Sequence, residues 1–443
     1  MLSKREERRN QLEVVVLDEL VPEDHLVRKN EQAIDFDFIN DLVKDHYSSD
    51  NGRPNIDPVV LIKMVLIQYL FGIRSMRQTI KEIETNVAYL WFFGYGFSEK
   101  IPHFSTFVKN YMRRFHDTDL FEQIFYRILR EAMKKGLVDP SIAFIDSIHV
   151  KANANKKKLE KKIVRVETRS YQHQLHEEIN IEKPLPLQNK EETKEIKIST
   201  TDPESGYYVK DEREKSFAYS FHTACDSKGF ILGSLVTGGN VHDSRMLDSL
   251  VSKVTEKVGK PNVVEVDAGY KTPYIAKFLM DQEIRPVMPY SRPRTKAGYL
   301  KKNEYVYDAH FECYICPNRQ ILSYRTTTRE GYKQYAFDSE VCKSCSLLDN
   351  CTQSQNHTKQ IHRHIWQDYL DEADHLRHTQ MNKNIYAKRK ETIERVFANA
   401  KEKHGMRWTK LRGLKKVSMQ AILTFAAMNL KKLANWKKGP CPA

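Results

Sequence analysis

Residues 262–270 read NVVEVDAGY, a run of β-branched valines interleaved with acids and closed by a small Ala-Gly turn. A short apolar run ended by glycine has the pattern of a core strand rather than a helix. Asp267 then falls at the C-terminal lip of that strand, where a lone aspartate ordinarily forms a turn or a cap. A second copy of the pattern lies at SIAFIDSIHV, residues 141–150, where Asp146 follows Ile142, Ala143, Phe144 and Ile145. Both apolar strands are thus expected to terminate in an unpaired carboxylate, which is costly, because a desolvated acid must be paired, protonated or bound to a cation. A shared divalent metal removes that cost.

Working outward, SFAYSFHTACDSKGFILGSLVTGG (216–239) alternates and breaks at DSKG, the pattern of a hairpin, with Asp226 read as turn chemistry. Asp243 is then expected to cap a helix, SRMLDSLVSKV, ahead of the Asp267 strand; a helix (PYIAKFLMDQ) and a strand (IRPVMPY) follow. The order strand, hairpin, helix, strand, helix, strand predicts a mixed α/β sheet whose first and fourth strands bear the acids. Glu265 points to the same side as Asp267 if its strand is regular.

The third acid of a divalent site need not come from a strand. NIYAKRKETIERVFANAKEKHG (384–405) predicts a helix with Ile393, Val396, Phe397 and Ala400 buried and Gly405 at its C-cap. Glu394 and Lys401, seven residues apart, share a line along the rim of that stripe. Glu391 and Glu402 lie elsewhere and read as solvated charges.

At 443 residues the chain is expected to divide into about two or three domains. Its 72 Lys and Arg against 58 Asp and Glu leave a formal charge of +14, a balance suited to a polyanion such as nucleic acid, with plain solubility as the alternative. The opening MLSKREERRN has no apolar signal-peptide core, which predicts a cytoplasmic protein. The most apolar stretch, VVLIKMVLIQYLF (59–71), is shorter than the ~20 residues of a membrane span and reads as a buried helix, with Asp57 as N-cap, Pro58 at its first position and Gly72 past its end. A second helix is expected through TIKEIETNVAYLWFF after Ser75 and Gln78, and a third through STFVKNYMRRF. The third places Phe107, Val108, Tyr111, Met112 and Phe115 on one stripe and Lys109, Arg113 and Arg114 largely off it. Residues 1–135 therefore read as a helical, helix-turn-helix-like DNA-binding domain, or else as an ordinary bundle with a solvated basic face.

Between Asp146 and the hairpin, charge dominates; residues 151–215 read as a charged insertion, extended-helical or partly disordered over 151–200. A second insertion, 295–380, is basic and holds five of the seven cysteines: Cys313 and Cys316 in CYIC, Cys342 and Cys345 in CKSC, then Cys351. Two C-x-x-C pairs in a protein without a secretion signal suit tetrahedral Zn²⁺ better than disulfides. Cys313, Cys316, Cys342 and Cys345 are the expected ligands, with Cys351 as a substitute for one. Cys225 and Cys441 read as unrelated. His357, His362 and His364 are expected at the surface. The flanking SRPRTKAGYLKK and HTKQIHRHIW mix basic and aromatic residues suited to a phosphate backbone.

Asp146 in FIDS, Asp267 in DAGY and Glu394 in YAKRKETIERVFANAK resemble the Asp, Asp, Glu signature of DDE transposases of bacterial insertion sequences, within the ribonuclease H-like superfamily. Tyr386, Arg389, Glu394 and Lys401 resemble the tyrosine, arginine, glutamate, lysine motif of the same proteins, here with an arginine-to-glutamate gap one residue longer than in the insertion-sequence-four group. With GNVHDS, the cysteine insertion and the helical N-terminal module, the chain looks most like the insertion-sequence group eleven-eighty-two. The resemblance implies a ribonuclease H-like catalytic domain over 136–294 and 381–436. It implies Mg²⁺, or Mn²⁺, held by the three acids, with two ions serving in-line displacement at phosphorus. Arg389 and Lys401 are then expected to hold phosphates and Tyr386 to contact a base or backbone, on double-stranded transposon ends and target DNA, with the protein a homo-oligomer on that DNA. The function implied is DNA cleavage and strand transfer; the alternatives are a nuclease of the same fold lacking strand transfer and a transposase-derived DNA-binding protein without catalysis.

Overall fold

The computed structural model describes residues 11–47, 56–165, 171–182, 193–210, 214–291, 295–337 and 339–436; Cys441 lies outside them. The first long helix, α1 (Pro58–Leu70), starts where the sequence places it, with Asp57 accepting from the Val59 amide at 2.7 Å and Pro58 at the first turn. It is apolar on every side and buried throughout; its one lysine, Lys63, is paired with Glu31 at 2.9 Å. The second expected helix is instead two, α2 (Met76–Ile83) and α3 (Val87–Phe93), because the Asn86 side chain accepts from the Ala88 and Tyr89 amides and starts a new helix. The third, α4 (Phe104–Asn110), runs into a π turn at Tyr111–Phe115. Tyr111 and Phe115 are buried, while Val108 and Met112, expected on the buried stripe, are about half exposed. Helix α5 (Leu120–Lys134) leads to the sheet.

Strand β1 (Ile142–Lys151) is central and does not end at Asp146 as expected, because its antiparallel pairing with Lys215–Cys225 continues through Lys151. The sheet adds β2 (Gly206–Val209), β3 (Lys215–Cys225), β4 (Ile231–Gly238), β5 (Val263–Val266) and β6 (Arg285–Val287). Strand β3 lies antiparallel to β1 on one side and pairs beyond it with β2 and β4; on the other side β5 and then β6 run parallel to β1. The β3–β4 hairpin turns at Asp226, whose carboxylate accepts from the Lys228, Phe230 and Asp139 amides. Helices α6 (Leu247–Lys257) and α7 (Pro273–Asp281) cover the face that carries Ala143, Ile145, Val264 and Val266.

The described part of the charged insertion is not mainly helical. Leu159–Arg165 and Thr193–Ser199 pair as an antiparallel ribbon, with Lys161 and Glu195 2.8 Å apart across it. Only Gln172–Glu182 is a helix, pinned through Leu175 and Ile179 against Trp366. The cysteine-rich insertion is an antiparallel sheet of β7 (Val306–Asp308), β8 (Cys313–Ile315), β9 (Ile321–Thr327), β10 (Tyr332–Ala336) and β11 (Gln360–His364), paired in chain order around a tyrosine-rich core. Helix α8 (Gln367–Leu376) then returns to pack on α7, and Ala373 joins the core beneath it.

The chain closes with α9 (Gln380–Ala387), α10 (Ile393–Lys403) and α11 (Leu414–Ala434). Helix α11 packs against α1, α5 and β4 at once, so the N-terminal helices share one continuous core with the Phe144, Ile148 and Phe217 face of the sheet. Among the described residues no helix is long and apolar enough to cross a membrane.

Candidate active site

The parallel register pairs Ile142 with Val263 and Ile145 with Val266, which brings Asp146 and Asp267 to the C-terminal ends of that pairing on adjacent strands. Phe144 lies opposite Glu265, so by strand alternation Glu265 shares the face of Asp146. Asp146 accepts from the Ser147 amide at 2.8 Å, and Asp267 caps a short turn by accepting from the Gly269 amide at 2.8 Å.

The helix expected across 384–405 is interrupted. A 3₁₀ turn, Lys388–Glu391, follows α9, and Thr392 (φ −105°, ψ −98°) breaks the chain direction before α10. The turn directs Arg389 inward. Its Nη1 donates to both oxygens of Glu265 at 3.1 and 3.0 Å, its Nη2 donates to Asp146 Oδ2, and its Nε lies 3.6 Å from Glu394 Oε1. One guanidinium therefore joins carboxylates from β1, β5 and α10.

The charges are poorly balanced. Burial pushes the Asp146 carboxyl up to about 6, with Arg389 opposing and Asp267 and then Asp243 adding to the rise. Burial likewise pushes Glu265 up to about 8 against the same arginine. Glu394 is half exposed at the rim. Among the described residues, no three His, Cys, Asp or Glu side chains already converge as a metal centre. The donors nevertheless suit a hard divalent ion: they are all carboxylate oxygens, and a single cation stands among several buried or half-buried acids.

Asp243 does not act as the helix cap expected of it. His242 takes that role, its Nδ1 accepting from the Ser244 amide at 3.3 Å. Asp243 faces Ser220 Oγ at 3.4 Å and His222 Nδ1 at 3.6 Å, and its charge reaches Asp146 and Tyr270. The GNVHDS motif was its only signal in the sequence. His222, bonded to Thr237 at 2.9 Å, is kept neutral down to about 4 by burial.

The other predicted residues are spread more widely. Lys401 is half-buried on α10 with its charge reaching His149, which stacks on Tyr208 at 3.7 Å; Tyr386 is exposed on α9. Arg389, expected at phosphates, here faces carboxylates through all three of its nitrogens. Lys109 and Arg113 are exposed on the N-terminal module, and Arg114 lies over the Tyr47 ring at 4.3 Å. Cys316, Cys342, Cys345 and Cys351 line one small cavity in the insertion, and Cys313 is not among the residues that line it.

Two family models match the chain. Residues 315–434 match the transposase DDE domain, a span that includes Arg389 and Glu394 but neither Asp146 nor Asp267, and residues 15–113 match a transposase domain, domain of unknown function 772. No curated protein matches. Together the two domains indicate a transposase and support the DDE class.

Proposed function

We propose that the protein is a DNA transposase that binds terminal inverted repeats, cuts at element ends and joins them to target DNA, and that it is of the insertion-sequence group eleven-eighty-two. The observation that carries this reading is the placement of Asp146 and Asp267 one residue beyond the end of the same parallel strand pairing, with Glu394 linked to Asp146 through Arg389. The strand order, β3 antiparallel to β1 with β4 and β2 beyond it and β5 and β6 parallel on the other side, supports a ribonuclease H-like sheet.

Asp146, Asp267 and Glu394 would hold Mg²⁺ or Mn²⁺. Bound there, divalent ions supply activation of a water or DNA 3′-hydroxyl and stabilisation of the leaving oxygen. The protein's own part is to position and to shield. Strands β1 and β5 fix two carboxylates on a rigid sheet, and α10 carries the third at a solvent-facing rim where a phosphodiester has access. Arg389 keeps the buried acids together before DNA arrives, while Lys401 and Tyr386 offer phosphate and base contacts. Lys109, Arg113 and Arg114 extend the DNA surface onto the N-terminal module, and the double-stranded ends are held by a homo-oligomer.

Purified protein incubated with labelled element ends and Mg²⁺ tests the reading. Alanine at Asp146, Asp267 or Glu394 singly is expected to abolish cleavage and leave binding intact; cleavage unchanged in any one variant removes that residue from the site. A wild-type chain that binds ends but never cuts them in Mg²⁺ or Mn²⁺ supports a DNA-binding protein without catalysis instead.

A further inference from the structure

Four of the five cysteines in the insertion line one cavity of about 20 Å³, with Tyr305 and Phe337 also in its wall. They arrive from three places: Cys316 from the loop after β8, Cys342 and Cys345 from the turn at helix Ser339–Lys343, and Cys351 from the end of helix Leu348–Cys351. Cys313 is excluded by strand geometry. Tyr314 enters the aromatic core of the insertion, so two-residue alternation puts Cys316 on that side and Cys313 on the other, where it pairs with Asp308 across β7.

Polar groups lie against Cys316, Cys345 and Cys351. The Gln320 amide donates to Cys316 Sγ at 3.4 Å, Asn318 Nδ2 donates to Cys345 Sγ at 3.5 Å, and the Tyr305 hydroxyl lies 3.1 Å from Cys351 Sγ. The Cys316 loop is held in that shape by the Arg319 amide bonding to the Cys316 carbonyl at 2.8 Å, with Arg319 itself at φ +58°. The space suits a single atom: it is about the size of one water, yet its lining is mainly apolar and thiol, which holds water poorly.

We infer that Cys316, Cys342, Cys345 and Cys351 form a structural Zn²⁺ site that locks the loop after β8 to the two short helices, and that Cys313 is no part of it. The sulfurs line the cavity without yet being drawn to a common point, so binding pulls them inward, and each thiol that ligates gives up its proton to solvent. The site is independent of the DNA reading, since no residue of the acid cluster contributes to it.

Full-length protein purified under reducing conditions tests this by elemental analysis, by Co²⁺ substitution and by alkylation with and without a chelator. The expected results are about one zinc per chain and a tetrahedral cobalt spectrum with intense sulfur-to-metal bands. Cys313→Ser is expected to keep both and Cys351→Ser to lose them, while Cys351→His retains the metal with bands shifted as one sulfur becomes nitrogen. Alkylation of the wild type needs no variant to fold: chelation is expected to expose Cys316, Cys342, Cys345 and Cys351 together and leave Cys313 unchanged. Loss of zinc in Cys313→Ser with retention in Cys351→Ser overturns the assignment, as does a reduced wild-type chain that binds neither metal.

Discussion

Arg389 and Glu265 are joined by two hydrogen bonds from a single guanidinium nitrogen, at 3.1 and 3.0 Å, on the sheet face that also carries Asp146. The pair comes from segments 124 residues apart and ties the last third of the chain to the sheet. Removing the arginine leaves Glu265 fully buried and Asp146 nearly so without their cation. Breaking a buried pair from one side costs about 3–5 kcal/mol, so Arg389→Ala is expected to lower unfolding free energy by that order in urea titrations above pH 8, where both acids are ionised. Arg389→Lys is expected to recover little, because a point ammonium cannot span both carboxylates. A loss under about 1 kcal/mol in the alanine variant contradicts this role.

Glu265 gives a pH dependence of definite sign. Its folded pKa, raised to about 8, exceeds the ordinary glutamate value, so between roughly 4.5 and 8 the folded chain holds a proton that the unfolded chain releases. Its contribution is therefore intact at low pH and is lost as pH rises through that window. Comparing wild type with Glu265→Gln at pH 5 and pH 8 isolates it: the stability of wild type relative to the variant is expected to fall with pH, by at most about 1.4 kcal/mol per unit. A difference that stays flat, or rises, rules out the shift.

His404 runs the other way. It lies just past α10, buried, with Nδ1 donating to the Tyr69 carbonyl at 2.7 Å, and burial lowers its pKa to about 4. The unfolded chain binds a proton below about 6.5 that the folded chain refuses until about 4, so this stability is present above 6.5 and is lost as pH falls. In His404→Gln the acid-side loss between those limits is expected to shrink, read from denaturant midpoints at pH 7 and pH 5. Equal losses in both proteins show that the imidazole is not the source.

The same junction depends on Gly72. Its φ is +66°, and a Cβ there meets the Lys403 carbonyl oxygen at 2.7 Å, so the end of α1 abuts the end of α10 without room for a side chain. Gly72→Ala is expected to cost at least about 1–2 kcal/mol from backbone strain alone, with the backbone contact added. Thermal unfolding by circular dichroism measures it; an unchanged midpoint contradicts the close approach.

What the sequence disclosed follows from how local each signal is. Apolar runs closed by Asp146 and Asp267, the DSKG turn and the Asp57-Pro58 start are short-range patterns; the hairpin, the helix and the strand before Asp267 stand where they were expected, whereas the strand through Asp146 runs on to Lys151 because a long-range antiparallel partner extends it. The breaks were hidden because they depend on side chains competing for the backbone: Asn86 splits one helix, and Thr392 splits another despite the apolar stripe through Ile393, Val396 and Phe397. The charged insertion misled because high polarity reads as helix or disorder, whereas Lys161 and Glu195 pair across a ribbon whose partner strand lies some thirty residues on. Glu265 was legible only as a neighbour of Asp267, since its partner Arg389 is brought in by tertiary structure alone. The strand through Cys313–Ile315 was hidden for a related reason: C-x-x-C spacing suggests a pair, and only the pairing of Cys313 with Asp308 across the sheet reveals the strand.

Metal-directed backbone cleavage tests the central claim most directly. Iron(II) substituted for magnesium, with ascorbate and peroxide, generates radicals that cut the polypeptide beside the ion. In the DNA-bound protein the account expects cuts grouped near residues 146, 267 and 394, suppressed by excess Mg²⁺ and absent from Asp146→Asn. Cuts confined to one of those segments, or falling elsewhere with all three intact, would contradict a divalent site shared by Asp146, Asp267 and Glu394.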